Sequence, residues 1–160
     1  MLILFTLRAE YWYDPSLRKQ LNLETQISLY SIAGFSASMY VSAQKVRRKL
    51  HTMVSDAFKE CHVIMTPTVP CTAPQMPNEA QKFGMSDLKL TLTLMRFCQL
   101  ANLVGMPAIS IPIGVSECFP VGAQFMAPQG DEHTLLELGF IIENRLENST
   151  DSPKIRWSLV

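Results

Sequence analysis

The chain has 160 residues, 48% of them apolar, and its fourteen basic and fourteen acidic side chains cancel. That length and apolar content suit one compact domain with a core. Zero net charge offers no field for nucleic acid or an anionic membrane, so no nucleic-acid partner is expected, whereas a neutral organic substrate is compatible. The cysteines, Cys61, Cys71, Cys98 and Cys118, form no C-x-x-C pair and no Cys/His cluster with zinc spacing. With no signal peptide to support an oxidising compartment, they are expected to be free thiols, and no metal site is implied.

The N-terminal run from Met1 to Leu7 is apolar over far fewer residues than the roughly twenty a membrane span needs. Arg8, Glu10 and Asp14 follow without a small-residue cleavage site, so the run reads as the start of a core strand or helix. Asp14-Pro15 marks a turn. Residues 24–60 read as two helices separated at Gly34, with Ser36 or Ser38 capping the second. There Ala43, Val46, Leu50, Val54 and Ala57 recur at helical spacing as one buried stripe. Lys45, Arg47, Arg48 and Lys49 lie mostly off it and read as a solvated face rather than a phosphate or headgroup patch. Residues 62–66 form a short apolar strand that leaves its sheet at Pro67. Residues 70–85 are a proline-rich loop of a length that is often functional.

Ser86 is placed to cap a helix from Asp87 to Val104. Its stripe of Leu88, Leu92, Met95 and Leu103, widened by Leu94, Phe97 and Leu100, predicts burial on several sides. Gly105 supplies a left-handed C-cap, and Pro107 forbids continuation. Two strands follow, 107–113 and 120–127, joined by a loop that is long for a hairpin. The helix between strands 62–66 and 107–113 suits a parallel crossover. Asp131 caps a last helix, 132–147, whose stripe is Leu135, Leu138, Ile142 and Leu146. The tail, 148–160, is polar and reads as loose. Helices alternating with apolar strands predict an α/β layered architecture.

No catalytic set can be assembled from these residues. There is no G-x-S-x-G elbow, and the nearest glycine–serine segment, Ala33-Gly34-Phe35-Ser36-Ala37-Ser38, holds a single glycine inside a helical pattern. Ser42 and Lys45 have the spacing of surface neighbours on a helix. His51, His62 and His133 have no partner pattern and read as structural, with His133 in a first helical turn where the dipole disfavours its charged form. Asp131 and Glu132 read as capping charge.

The run Ala101-Asn102-Leu103-Val104-Gly105-Met106-Pro107-Ala108-Ile109-Ser110-Ile111-Pro112-Ile113-Gly114 is similar to the ANLxGxPAxSxPxG signature near the C-terminus of the amidase signature family. Two further segments stand in that family's order and spacing. One is Val63-Ile64-Met65-Thr66-Pro67-Thr68 upstream; the other is Pro120-Val121-Gly122-Ala123-Gln124-Phe125, followed by Gly130-Asp131-Glu132-His133-Thr134-Leu135-Leu136. The resemblance spans residues 38–147 and roughly the C-terminal third of such an enzyme. Thr91 to Phe97, with Thr72-Ala73-Pro74 upstream, resembles the plant-like fatty acid amide hydrolase branch most closely.

The resemblance implies an α/β fold, the C-terminal part of a mixed β-sheet covered by α-helices, present as a single partial domain over 1–160 and incomplete on its own. It implies carboxamide C–N hydrolysis, on fatty acid amides or N-acylethanolamines, through an acyl-serine and without cofactor. The family's serine nucleophile, its second serine and its lysine have no counterpart in this chain, so no residue here is assigned a catalytic role and the chain alone is expected to be inactive. Leu92, Met95 and Gln99 carry over as substrate-binding positions on a helix that lines the acyl channel. Thr66, Pro67, Asn102 and Ser110 carry over as architecture, with Asn102 bonding local backbone and Ser110 a satisfied buried hydroxyl. The implied partner is a small amide or fatty acyl ligand; peripheral membrane contact and a homodimer are compatible with the full-length protein. The implied location is the cytoplasm or the surface of an intracellular membrane. Two other readings stay open: a non-catalytic lipid- or partner-binding protein derived from an amidase, and an independent enzyme using an unrecognised nucleophile. A partial domain also predicts exposed apolar surface and open sheet edges.

Overall fold

The computed structural model describes residues 14–80 and 87–147. The N-terminal apolar run, the Ser86 cap and the polar tail lie outside the described residues. The chain divides into two units, one holding 14–45 and 77–80, the other 46–76 and 87–147.

In the first unit Asp14-Pro15 opens a helix rather than a turn. The Asp14 carboxylate accepts the Ser16 N–H at 2.8 Å and the Ser16 hydroxyl at 2.6 Å, and Pro15 sits at the first helical position, where no N–H is needed. The two Ser16 hydrogen bonds hold the Asp14 carboxyl below its ordinary range. This starts α1 (Pro15–Arg18). Asn22 caps α2 (Leu23–Ala33) by accepting the Thr25 N–H at 2.8 Å. Gly34 separates it from α3 (Ala37–Ala57), where the Ser36 hydroxyl accepts the Met39 N–H at 3.3 Å. The two-helix reading holds, with Ser36 rather than Ser38 as the cap. The stripe on α3 forms only in part: Val54 is buried, Ala43 and Leu50 are half-buried, and Val46 and Ala57 are exposed. Helical spacing produces a face, but burial needs a surface to pack on.

The second unit is built on β3 (Phe119–Met126), the middle strand of a sheet ordered β1-β3-β2, with β1 at Ile64–Pro67 and β2 at Ala108–Ser116. Both flanking strands pair antiparallel with β3. β1 and β2 therefore run the same way, as a crossover requires, but β3 lies between them, so no parallel pair bonds among the described residues. The cause is a tighter hairpin than expected. β2 runs on to Ser116, which pairs with Phe119, leaving only Glu117 and Cys118 in the turn, at φ +50° and +69°. Two left-handed central residues make the primed turn whose twist matches its strands. Neither residue is glycine or asparagine, so no local signal announced it. Ile113 is left unpaired between Pro112 and Gly114, a bulge that absorbs the register shift. Pro67 still pairs with Ala123, tolerated because β1 is an edge strand.

Helix α6 (Glu132–Glu147) covers one face of the sheet. Leu135 joins Ile111, Ala123, Phe125 and Ala127 in the core, with Val63, Ile109, Leu138 and Ile142 around them. The predicted stripe is thus the face that packs. Asp131 accepts the Thr134 hydroxyl at 2.6 Å at its start.

The predicted single helix over 87–104 is two helices, α4 (Leu88–Leu94) and α5 (Cys98–Val104). Asp87 itself caps α4 by accepting the Leu90 N–H at 2.9 Å. Thr91 and Thr93 each turn their hydroxyl back on the carbonyl four residues earlier, Asp87 and Lys89, at 2.8 Å. Such back-bonds bend helices. At the break the Arg96 N–H reaches only three residues back, to the Thr93 carbonyl at 3.2 Å. Burial on several sides does not hold for α4: Leu88 is 73% exposed, Leu92 53% and Met95 40%. α5 buries Ala101 and Val104. Gly105 then takes φ +86°, ψ +41°, and its N–H closes on the Ala101 carbonyl at 2.8 Å, the predicted left-handed cap. Arg47 donates from Nε to the Leu103 carbonyl at 2.7 Å, placing a cation on the negative end of α5. Gly105→Ala should cost about 1–2 kcal/mol, because a Cβ is strained at that φ. Thermal unfolding against the parent chain checks this; no measurable shift would mean the cap relaxes to another conformation.

Candidate functional site

On the face of the sheet away from α6, register aligns one residue from each strand. Thr66 pairs with Gln124, and Gln124 with Ser110. Each comes from a different one of the three segments singled out in the sequence. Alternation along the strands puts Ile109, Ile111, Ala123 and Phe125 on the core side and leaves this polar row on the other. Gln124 is only 5% exposed. Its Nε2 donates to the Phe97 carbonyl at 3.2 Å and lies 3.5 Å from the Thr66 hydroxyl. The Thr68 and Ser110 hydroxyls bond each other at 2.6 Å, and the Cys98 thiol donates to the Thr68 carbonyl at 3.4 Å. Four segments distant in sequence therefore meet in one hydrogen-bonded patch.

Gly122 makes that meeting possible. A Cβ there would stand 2.9 Å from Thr68 Oγ1 and 3.1 Å from Ser110 Oγ. The bare backbone lets the two hydroxyls close over it, and its carbonyl accepts the Thr68 N–H at 2.9 Å.

Beside the patch runs a groove of about 640 Å³, within the range of small-molecule sites. Thr66 and Gly122 connect it to the polar row; Val69, Cys71, Leu94 and Ile113 are among its other walls. No charged side chain among the described residues lines it, so it favours an uncharged, largely apolar ligand.

Among the described residues no nucleophile–base pair meets at this groove. Ser42 donates to the Ser38 carbonyl at 2.9 Å rather than facing Lys45. His51 and Ser55 stand 3.3 Å apart on the exposed side of α3, and His133 lies 3.3 Å from Glu137, so two of the histidines do have helical neighbours that their sequence context did not suggest. Among the described residues no group of three His, Cys, Asp or Glu side chains is arranged to hold a metal. All four cysteines are free thiols.

Leu92, Met95 and Gln99 are exposed at the α4–α5 junction, with Leu94 between them reaching the groove. They do not lie on one unbroken helix, though the backbone keeps helical bonds around the break, Met95 N–H to Thr91 O at 2.9 Å and Gln99 N–H to Met95 O at 3.1 Å. Ser110 is satisfied, as predicted, but exposed rather than buried, and Asn102 is exposed. Sequence reasoning missed Thr68, Gly122 and Gln124 as a unit. The available signal was Gln124 itself, a lone amide among apolar residues in a strand.

The family model described as Amidase matches residues 9–136, and the chain belongs to that family. Among curated relatives, it is 39% identical over 142 residues to a fatty acid amide hydrolase of Arabidopsis thaliana, covering 88% of this chain and 23% of the relative. It is 38% identical over 135 residues to the Medicago truncatula fatty acid amide hydrolase, covering 84% and 22%. Among solved structures, a glutamyl-tRNA(Gln) amidotransferase component from Thermotoga maritima superposes with a TM-score of 0.62 at 28% identity, over 76% of this chain and 26% of that one. The chain thus spans about a quarter of the length of these relatives. Among the described residues no helix is long and apolar enough to cross a membrane.

Proposed function

We propose that these residues form part of the substrate-binding wall of a carboxamide hydrolase acting on fatty acid amides, and that the 160-residue chain alone does not hydrolyse them. One observation carries the reading: in a chain 38–39% identical to plant fatty acid amide hydrolases, the three signature-like segments converge beside a groove with no charged lining among the described residues. Leu92, Met95 and Gln99 stand beside the groove rather than among its lining residues, so they would meet the ligand only where it extends past Leu94, a position that suits the adaptable methionine. The acyl-serine chemistry would come from residues with no counterpart here. The proposed place of work is the cytoplasm or the surface of an intracellular membrane, with a homodimer as the compatible assembly.

The test is a segment exchange. This chain's residues replace the matching stretch of the Arabidopsis thaliana relative, and hydrolysis of an N-acylethanolamine is followed. Retained turnover is expected, with KM raised about tenfold or more by Met95→Glu, on the scale of burying a charge against an acyl chain. The isolated chain should show no turnover. A soluble, folded exchange protein without activity would overturn the assignment, and turnover by the isolated chain would overturn its inactivity.

A further inference from the structure

The break between α4 and α5 is tied to the sheet by side chains, not only by packing. Gln124 reaches from the middle strand to the Phe97 carbonyl at 3.2 Å, and Cys98, the next residue, donates its thiol to the Thr68 carbonyl at 3.4 Å. Both struts grip the same two-residue stretch from the face that carries the polar row. Three residues before Phe97, Leu94 ends α4 and forms part of the groove wall. α4 itself has little to hold it: seven residues, bent by two back-bonding threonines, with no buried side chain. A helix that short does not keep its own geometry in water. Among the described residues, the side-chain hydrogen bonds at 97–98 fix the end of α4 that reaches the groove.

We propose that Gln124 is a positioning residue that clamps the α4–α5 break and so sets the width of the groove at Leu94, selecting among acyl chains without touching them. The selecting role rests on the fatty acyl reading above, but the clamp can be tested apart from it. A buried amide is suited to this role. Left without its acceptor it would bear a desolvation cost, so it favours the one arrangement in which the Phe97 carbonyl is in reach.

The experiment compares the 160-residue chain with Gln124→Met, which keeps the shape and removes the donor, and Gln124→Glu, a second variant should the first not fold. Hydrogen exchange is read by residue. The amides of 97–99 should exchange about tenfold faster in the variants, the scale expected for losing one buried hydrogen bond, while the β2–β3 ladder keeps its rates. Unchanged exchange at 97–99, or an equal rise across the whole sheet, would overturn the clamp. In parallel, turnover of N-lauroylethanolamine and N-oleoylethanolamine is compared in the segment-exchange protein with and without the Gln124 substitutions. The preference between short and long chain should shift several-fold in the variants; a preference that stays put while exchange at 97–99 rises would overturn the selecting role. Should the segment-exchange protein turn over neither ligand, the acyl reading fails, and hydrogen exchange in the 160-residue chain still decides the clamp.

Discussion

Phe125→Ala should destabilise the chain by about 3–5 kcal/mol, the usual cost of emptying a buried aromatic site. Phe125 is 8% exposed and sits on the middle strand, paired with Met65 on one side and Ile109 on the other. Its ring faces the cluster completed by Ile111, Ala123, Ala127 and Leu135. That position allows little relaxation. Moving α6 inward to fill the space is blocked by Ile109 and Ile111, whose Cδ1 atoms already lie 3.2 and 3.7 Å from where a Cβ on Gly139 would stand, so the cavity persists and the lost contacts are not recovered. For a chain of this size the change corresponds to a fall in Tm on the order of 10 °C. Met65→Ala is the control. Met65 lies on the same row of the sheet but is 66% exposed, and its loss should fall within about 0.5 kcal/mol. Equal effects from the two would mean that the core does not lie between β3 and α6.

Gly122→Ala is the second large effect, about 2–3 kcal/mol, within the range for overpacking a close contact. The added methyl would stand 2.9 Å from Thr68 Oγ1 and 3.1 Å from Ser110 Oγ. One hydroxyl must move, and moving either breaks their 2.6 Å bond. The cause is crowding, not backbone strain, which gives a specific check. Shortening Thr68 to Ala in the same chain should restore part of the loss, so that the double variant is more stable than the sum of the single costs by about 1 kcal/mol or more. Strict additivity in denaturant unfolding would show that Gly122 is needed for some other reason.

Several parts of this structure were legible residue by residue. The Gly105 cap followed from glycine being followed by a proline two residues on, and the α6 stripe followed from period 3.6 with an aspartate ahead of it. Both depend on interactions within a few residues, which a linear pattern contains. The family also was legible, because its segments are strings of residue types in order. What failed were statements about what an element packs against. α4 carries an apolar face, yet exposes Leu88 and Leu92 here; amphipathicity states what a helix would bury, not whether a partner is present. The exposed surface matches the expectation for a span covering about a quarter of its relatives' length.

Strand order and the polar patch belong to tertiary structure alone. The predicted crossover had the right direction for β1 and β2, but the insertion of β3 between them depended on a two-residue turn of Glu117 and Cys118, held at positive φ by the pairing of the strands on either side. Composition and local periodicity by themselves determined that helices alternate with apolar strands and that the net charge is zero. Only the register of three strands decided that Thr66, Gln124 and Ser110 share one row and that Gln124 reaches Phe97. The physical reason is that a one-residue slip of any strand would turn its residue to the opposite face, and the register is set by burying Phe125 and Ile111 under α6 rather than by anything near the polar residues themselves.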